Sequence, residues 1–131
     1  MTTWTSDELS RIGGAEEIKI AALRPDGRLR KPVIIWVVRV GDDLYIRSVR
    51  GATAAWFRGT QARSEGRIWA DGVETEVSFV AADQGTAELD EAIDEAYRVK
   101  YRPYATTHVP PILRPEARAT TLKLVPRTAG S

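Results

Sequence analysis

Apolar and polar positions alternate through several short runs of this chain, and only near its far end do they settle into a helical spacing. In E-E-I-K-I-A-A-L-R (16–24), Ile18, Ile20 and Ala22 recur at period two, which predicts a strand. The next run, K-P-V-I-I-W-V-V-R-V (31–40), is apolar on both faces and rich in β-branched residues, so it reads as a central strand. Gly41-Asp42-Asp43 turns it back onto L-Y-I-R-S-V. Farther on, G-R-I-W-A-D and V-E-T-E-V-S-F-V-A-A flank a turn at Gly72. In the second of these, Val73, Thr75, Val77, Phe79 and Ala81 share one face against Glu74, Glu76 and Ser78, a hairpin with one wet side. T-T-L-K-L-V (120–125) supplies a last strand.

Helices are marked by their ends and by a spacing of four. Thr5-Ser6-Asp7-Glu8 has the spacing of a capping box, and Gly13-Gly14 stops the helix it opens, so 1–14 is an N-terminal helical segment. Residues 52–62 read as a short helical piece. The clearest helix spans 86–101, where Leu89, Ile93, Tyr97 and Tyr101 repeat every four residues; Thr86, an acidic first half and a basic end suit its dipole. Pro25-Asp26-Gly27 is a turn, and 102–115 a proline-rich loop. The order predicts a mainly β (α+β) domain over 1–131: a small six-stranded antiparallel barrel, with short helices at the N-terminus, after strand 3 and before the last strand.

Composition narrows the classes. The 131 residues carry 19 Lys and Arg against 18 Asp and Glu, a balance that gives no global pull toward nucleic acid or membrane. No apolar run reaches bilayer length and the polar start M-T-T-W-T-S-D-E-L is no signal peptide, so a cytoplasmic protein is expected. Without cysteine there are no disulfides, thiolate metal sites or cysteine nucleophiles. The single histidine, His108, lies in T-T-H-V-P-P and cannot by itself build a multi-histidine metal site; it reads as a surface residue or a proton donor. The carboxylates of 88–95 read as a solvated helix face.

The chemistry concentrates in Y-I-R-S-V-R-G-A-T-A-A-W-F-R-G (45–59). Arginine forks and oriented backbone N–H groups suit phosphate oxygens. Arg30 and Lys31 at the start of the central strand, with Arg47, Ser48, Arg50 and Gly51 after its hairpin partner, converge if the 41–43 hairpin places Lys31–Val33 beside Val49–Gly51. Alternatively these arginines are solvated or paired with carboxylates such as Glu74 and Glu76. Trp36 and Trp69 read as core or pocket wall, Tyr97 and Tyr101 as packing, Arg102 and Tyr104 as pocket lining, and Trp4 as an anchor for the first helix.

The segment D-G-R-L-R-K-P-V-I-I-W-V-V-R-V-G-D-D-L-Y-I-R-S-V-R-G-A-T-A-A-W-F-R resembles the FMN-binding split-barrel superfamily, and within it the deazaflavin-dependent nitroreductase branch. It also resembles a small family of about this length that ends in D-E-A-Y-R-V-K-Y and A-R-A-T-T-L-K-L-V-P-R. The resemblance implies an FMN or deazaflavin cofactor held by Arg30, Lys31, Pro32, Arg47, Ser48, Arg50, Gly51, Trp56 and Arg58, with Trp56 beside the cofactor. It implies hydride transfer to a small organic substrate, and a homodimer in which both copies contribute to the pocket. Ala54-Ala55 stand where the branch carries a proline, and Arg58-Gly59 where it carries an asparagine. A cofactor-free barrel that binds or reshapes a small apolar ligand is therefore the alternative expectation.

Overall fold

The strand expected over 31–40 breaks in the middle, and the break sets the architecture. In a computed structural model of the chain, which describes residues 3–82 and 87–127, β2 (Val33–Ile35) and β3 (Val38–Val40) are separated by Trp36 and Val37. β2 pairs antiparallel with β1 (Ile18–Ala22), whereas β3 pairs with β4 (Asp43–Ile46). With β5 (Glu65–Ala70), β6 (Val73–Ala81) and β7 (Leu122–Pro126) they form one antiparallel sheet in the order β2-β1-β5-β6-β7-β4-β3. Seven strands replace the six expected, and the segment read as central supplies both edges. Since β2 and β3 follow one another in the chain, the sheet curls until its ends meet at Trp36–Val37, a half-barrel that gapes where β2 leaves β4.

The two-faced apolar pattern of 31–40 has a different cause from the one expected. Val37 enters the barrel core, while Val38 turns outward to a second apolar cluster under a helix. The middle of the segment, Val37 and Val38, is therefore buried from two sides although each part has only one neighbouring strand, while Ile34 on β2 stays exposed.

The barrel core is drawn from Ile18, Ile20, Leu44, Ile46, Ile68, Val77, Phe79, Leu122 and Leu124. One helix, α1 (Ser6–Gly14), adds Leu9 and Ile12, and its N-terminus carries the expected capping box: Glu8 N–H donates to Thr5 Oγ1 (3.1 Å) and Thr5 N–H to Glu8 Oε1 (2.9 Å). Trp4 anchors the same end by donating from Nε1 to the Leu124 carbonyl at 2.9 Å. On β5, Gly66 is required by space, because a Cβ there would stand 2.1 Å from the Ala21 carbonyl oxygen.

After β4 comes a single 3₁₀ turn, 51–53, and then α2 (Ala55–Ala62), which contributes Phe57 to the barrel core. The long helix α3 (Ala87–Lys100) packs outside, laying Ile93, Tyr97 and the following Tyr101 on Val38 and Tyr45. Thr86, placed by sequence at its start, lies outside the described residues. The stretch expected as a proline-rich loop, 102–115, is largely wound: a 3₁₀ turn over Arg102–Tyr104, α4 (Val109–Ile112), and the start of α5 (Pro115–Arg118). Proline occupies the first turn of each piece, where its missing N–H costs nothing.

Candidate functional site

Past Ile46 the chain continues from β4 without β3 beside it, and on the other side of the gap β2 shows an edge unpaired by any described strand. Between these two edges lies a cavity of about 530 Å³. Val33, Ile35 and Trp36 form one wall; Val49, Arg50 and Trp56 form the other; Pro111 and Ile112 of α4 close a side, with His108 and Glu17 also on the lining. The volume falls within the range of about 300–1,000 Å³ usual for small-molecule sites.

Arg47 and Ser48 border this space but spend their polar groups elsewhere. Alternation along β4 sends Leu44 and Ile46 into the barrel and Tyr45 and Arg47 toward α3. The guanidinium of Arg47 is fully buried; it meets Asp94 Oδ1 at 2.5 Å, Thr121 Oγ1 at 2.9 Å and the Ile112 carbonyl at 3.3 Å. Asp94, equally buried, also binds Arg118. One carboxylate of the helix face expected to be solvated is thus the centre of an internal Arg47–Asp94–Arg118 group. Ser48 donates its hydroxyl to the Gly51 carbonyl (2.8 Å), and its N–H to Thr120 Oγ1 (2.8 Å). This closes a turn in which Gly51 has φ +69°, a conformation suited to glycine, and a Cβ would crowd Glu116 at 3.3 Å.

Of the other expected cofactor residues, Arg50 is exposed on the cavity lining, with no carboxylate partner among the described residues, and Trp56 lines the cavity half-buried. Arg30 does not converge with them as the hairpin argument expected, because β2 leaves the hairpin. Its side chain lies against α2, where a Cβ on Gly59 would be 2.9 Å from its Nε, an atom buried without a partner among the described residues. Lys31, Pro32 and Arg58 are exposed and outside the lining.

The expected pocket residues separate likewise. Trp36 lines the cavity and stacks on Tyr101 with ring centroids 3.7 Å apart and planes 4° from parallel. Tyr104 flanks Trp36 at 5.7 Å and donates to Glu16 Oε1 at 3.3 Å. His108 sits 6.4 Å from Trp36, its Nδ1 2.9 Å from Thr107 Oγ1. Trp69 on β5 belongs to a separate depression with Lys19 of β1, Asp71 of the β5–β6 turn and Glu74 of β6, and Arg102 is exposed away from the cavity.

Sequence reasoning missed Lys100. Its Nζ donates to the Val37 carbonyl at 2.6 Å and lies 5.1 Å from the Tyr101 ring. Burial pushes its ammonium down to about 8, against the opposing pull of Glu16. Burial raises the phenols of Tyr97 and Tyr101 well above the ordinary range, so both are neutral hydroxyls.

Solved structures share this architecture at low sequence identity. An F420 reductase superimposes with a TM-score of 0.56 at 17% identity, covering 92% of this chain and 93% of that one. A FAD-binding protein from Mesorhizobium loti gives 0.56 at 13% identity, with 95% and 89% covered. HutZ, the heme storage protein from Vibrio cholerae, gives 0.59 at 7% identity, with 88% and 84% covered. At these identities the likeness establishes the split-barrel fold. No curated protein matches the sequence significantly. The sequence itself matches a family profile over residues 8–124, and the chain belongs to that family, DUF2255, described as an uncharacterized protein conserved in bacteria.

Proposed function

We propose that this protein binds a flavin-type cofactor, FMN or a deazaflavin, in the cleft between β2 and the segment after β4, and serves as a small oxidoreductase. The observation that carries the reading is the cleft itself: an apolar slot with Trp36 on one wall and Trp56 on the other, bordered by two strand edges and by the free cation Arg50. The residues present fit such a group. Trp36 and Trp56 would hold the ring, the edge of Val33–Ile35 would offer backbone donors and acceptors to its polar rim, and Arg50 would meet the phosphate. When bound, the cofactor supplies hydride transfer; the chain supplies orientation and exclusion of water. His108 and Glu17 at the lining are the groups placed to exchange a proton with a substrate.

Structural neighbours described as an F420 reductase and a FAD-binding protein support this reading. Titrating the protein with FMN or a deazaflavin should quench tryptophan emission and shift the visible band. Trp36→Leu should weaken binding about tenfold, the loss of about 1.4 kcal/mol expected for one aromatic stack. An unchanged spectrum and emission at saturating cofactor would overturn the proposal.

A second reading has its own support. Arg47 is committed to Asp94, and Arg30, Lys31 and Arg58 lie off the lining, so among the described residues one lining arginine without a carboxylate partner, Arg50, serves the phosphate. That suits an apolar planar ligand without a phosphate, and equal affinity for riboflavin and FMN would favour it. The cofactor reading also carries a two-fold pair: Ile34 (58% exposed) and Val49 (55%) flank the cleft and are apolar surface that a second copy would cover.

A further inference from the structure

The cavity exists because β2 and β3 part at Trp36–Val37, and a parted strand leaves backbone groups to satisfy. An N–H or C=O withdrawn from its ladder and buried unpaired costs about 1–3 kcal/mol. At Val37, whose side chain is fully buried, both groups find side chains of one helical terminus. The N–H donates to Tyr101 Oη at 3.2 Å, and the carbonyl accepts from Lys100 Nζ at 2.6 Å. The Tyr101 hydroxyl then donates onward to the Glu16 carbonyl at 2.8 Å, in the segment leading into β1. Three separate pieces of chain meet on one phenol: the break, the approach to β1 and the end of α3.

The same phenol ring lies flat under Trp36, at 3.7 Å and 4°. Tyr104 and His108 crowd Trp36 at 5.7 and 6.4 Å, and Tyr97 stands 6.5 Å away. A ring held on one face and at its edges cannot turn to follow a ligand. It presents a fixed plane to the cavity it lines.

We propose that Tyr101 and Lys100 are positioning residues for this cavity: by satisfying Val37 they hold the strand break open, and by backing Trp36 they preset a flat wall that selects planar aromatic rings over bulky aliphatic ligands. The proposal rests on the cleft being a ligand site, and it adds which residues, remote from any ligand, set its selectivity. Preorganisation of this kind improves affinity by lowering the cost of ordering the site.

Tyr101→Phe keeps the ring beneath Trp36 and removes the hydroxyl; Tyr101→Leu removes both; Lys100→Met removes the donor to Val37. Two measurements separate the roles. Amide hydrogen exchange at Val37 in ligand-free protein should speed up at least tenfold in Tyr101→Phe and in Lys100→Met. Affinities for FMN and for 2-naphthalenesulfonate, a planar probe that needs no flavin chemistry, should fall about threefold in Tyr101→Phe and about five- to tenfold in Tyr101→Leu. Ile93→Val, a core change on α3 away from the cavity, should lower the thermal midpoint yet leave both affinities within twofold, which a merely structural role for Tyr101 would not separate.

If the wild type binds the sulfonate probe in a Tyr101-dependent way but no flavin, the cofactor reading falls and this one stands. Val37 exchange unchanged in Tyr101→Phe, or Tyr101→Leu binding either planar probe within twofold of wild type, overturns the proposal. So does a wild type that binds neither probe.

Discussion

Asp94 shows how much a single buried charge decides. Its carboxylate lies between Arg47 and Arg118, with no exposed surface on either Asp94 or the Arg47 side chain. Truncation to Ala would leave the buried Arg47 guanidinium beside Tyr97 with Asp90, 3.8 Å away, as its remaining carboxylate among the described residues, and breaking a buried pair from one side costs about 3–5 kcal/mol. Chemical denaturation of Asp94→Ala should show a loss of that size, whereas Arg118→Ala, on the partly exposed arm, should lose much less. Lys100 gives a pH signature. Its ammonium titrates at about 8 in the folded chain against 10.5 when unperturbed, so between those values the unfolded chain holds more protons. Stability should therefore rise from pH 8 toward 10, with the full gain above 10.5 and none of it below 8. Above pH 10 the raised phenols of Tyr97 and Tyr101 act in the opposite direction, since the unfolded chain loses those protons first. Unfolding midpoints from pH 7 to 10.5 should rise and then turn over, and Lys100→Met should lack the rise. At this scale the sequence was half legible. Alternation along Y-I-R-S-V puts Arg47 and Ser48 on opposite faces. It did not indicate that Arg47 faces Asp94, 47 residues away, because one acid in an acidic helix looks like any other. A signal was present nonetheless: Asp90, Asp94, Tyr97 and Tyr101 follow the 4-3-4 spacing of one helical stripe, and Asp94 shares it with the apolar residues.

Elements with a local cause were the readable ones. The capping box of α1, the Gly72 hairpin and the four-residue rhythm of α3 each depend on neighbours in sequence, and each stands where expected. The 31–40 segment was misread because a buried two-faced pattern does not say whether its covers are strands or a strand and a helix. The hairpin register, extended past its real end, then brought Arg30 and Lys31 to the wrong place. Glycines on the elements separate steric need from convenience. On β5, Gly66→Ala would force a Cβ to within 2.1 Å of a backbone carbonyl that cannot move without disturbing the β1–β5 ladder. It should cost at least the upper end of the roughly 1–3 kcal/mol typical of overpacking. Gly14→Ala meets nothing within 4 Å and should gain about 0.4–1 kcal/mol from a less flexible unfolded chain. Paired denaturation curves of the two variants check both signs.

For the molecule as a whole, the order of elements in the sequence and the observed topology agree on a curled antiparallel barrel, with a cavity of about 530 Å³ between its two edges. If a second copy covers Ile34 and Val49, sedimentation velocity should show a dimer, and Ile34→Lys with Val49→Lys should return it to monomer. A monomer in the wild type at micromolar concentration would leave that apolar rim facing water and count against the pairing. The two edge strands of the curled seven-stranded sheet are one continuous stretch of chain. Because the two ends of the sheet are consecutive in the chain, the circumference is closed by covalent bonds at Trp36–Val37 and not by a ladder of hydrogen bonds. Aperture is thereby set by chain length at that point: one residue inserted there would lengthen the perimeter without touching a wall, and a new pair of termini placed there would turn the ring into an open ribbon. A change in the size of the cavity can thus enter through the length of one two-residue joint, leaving every packed layer as it is.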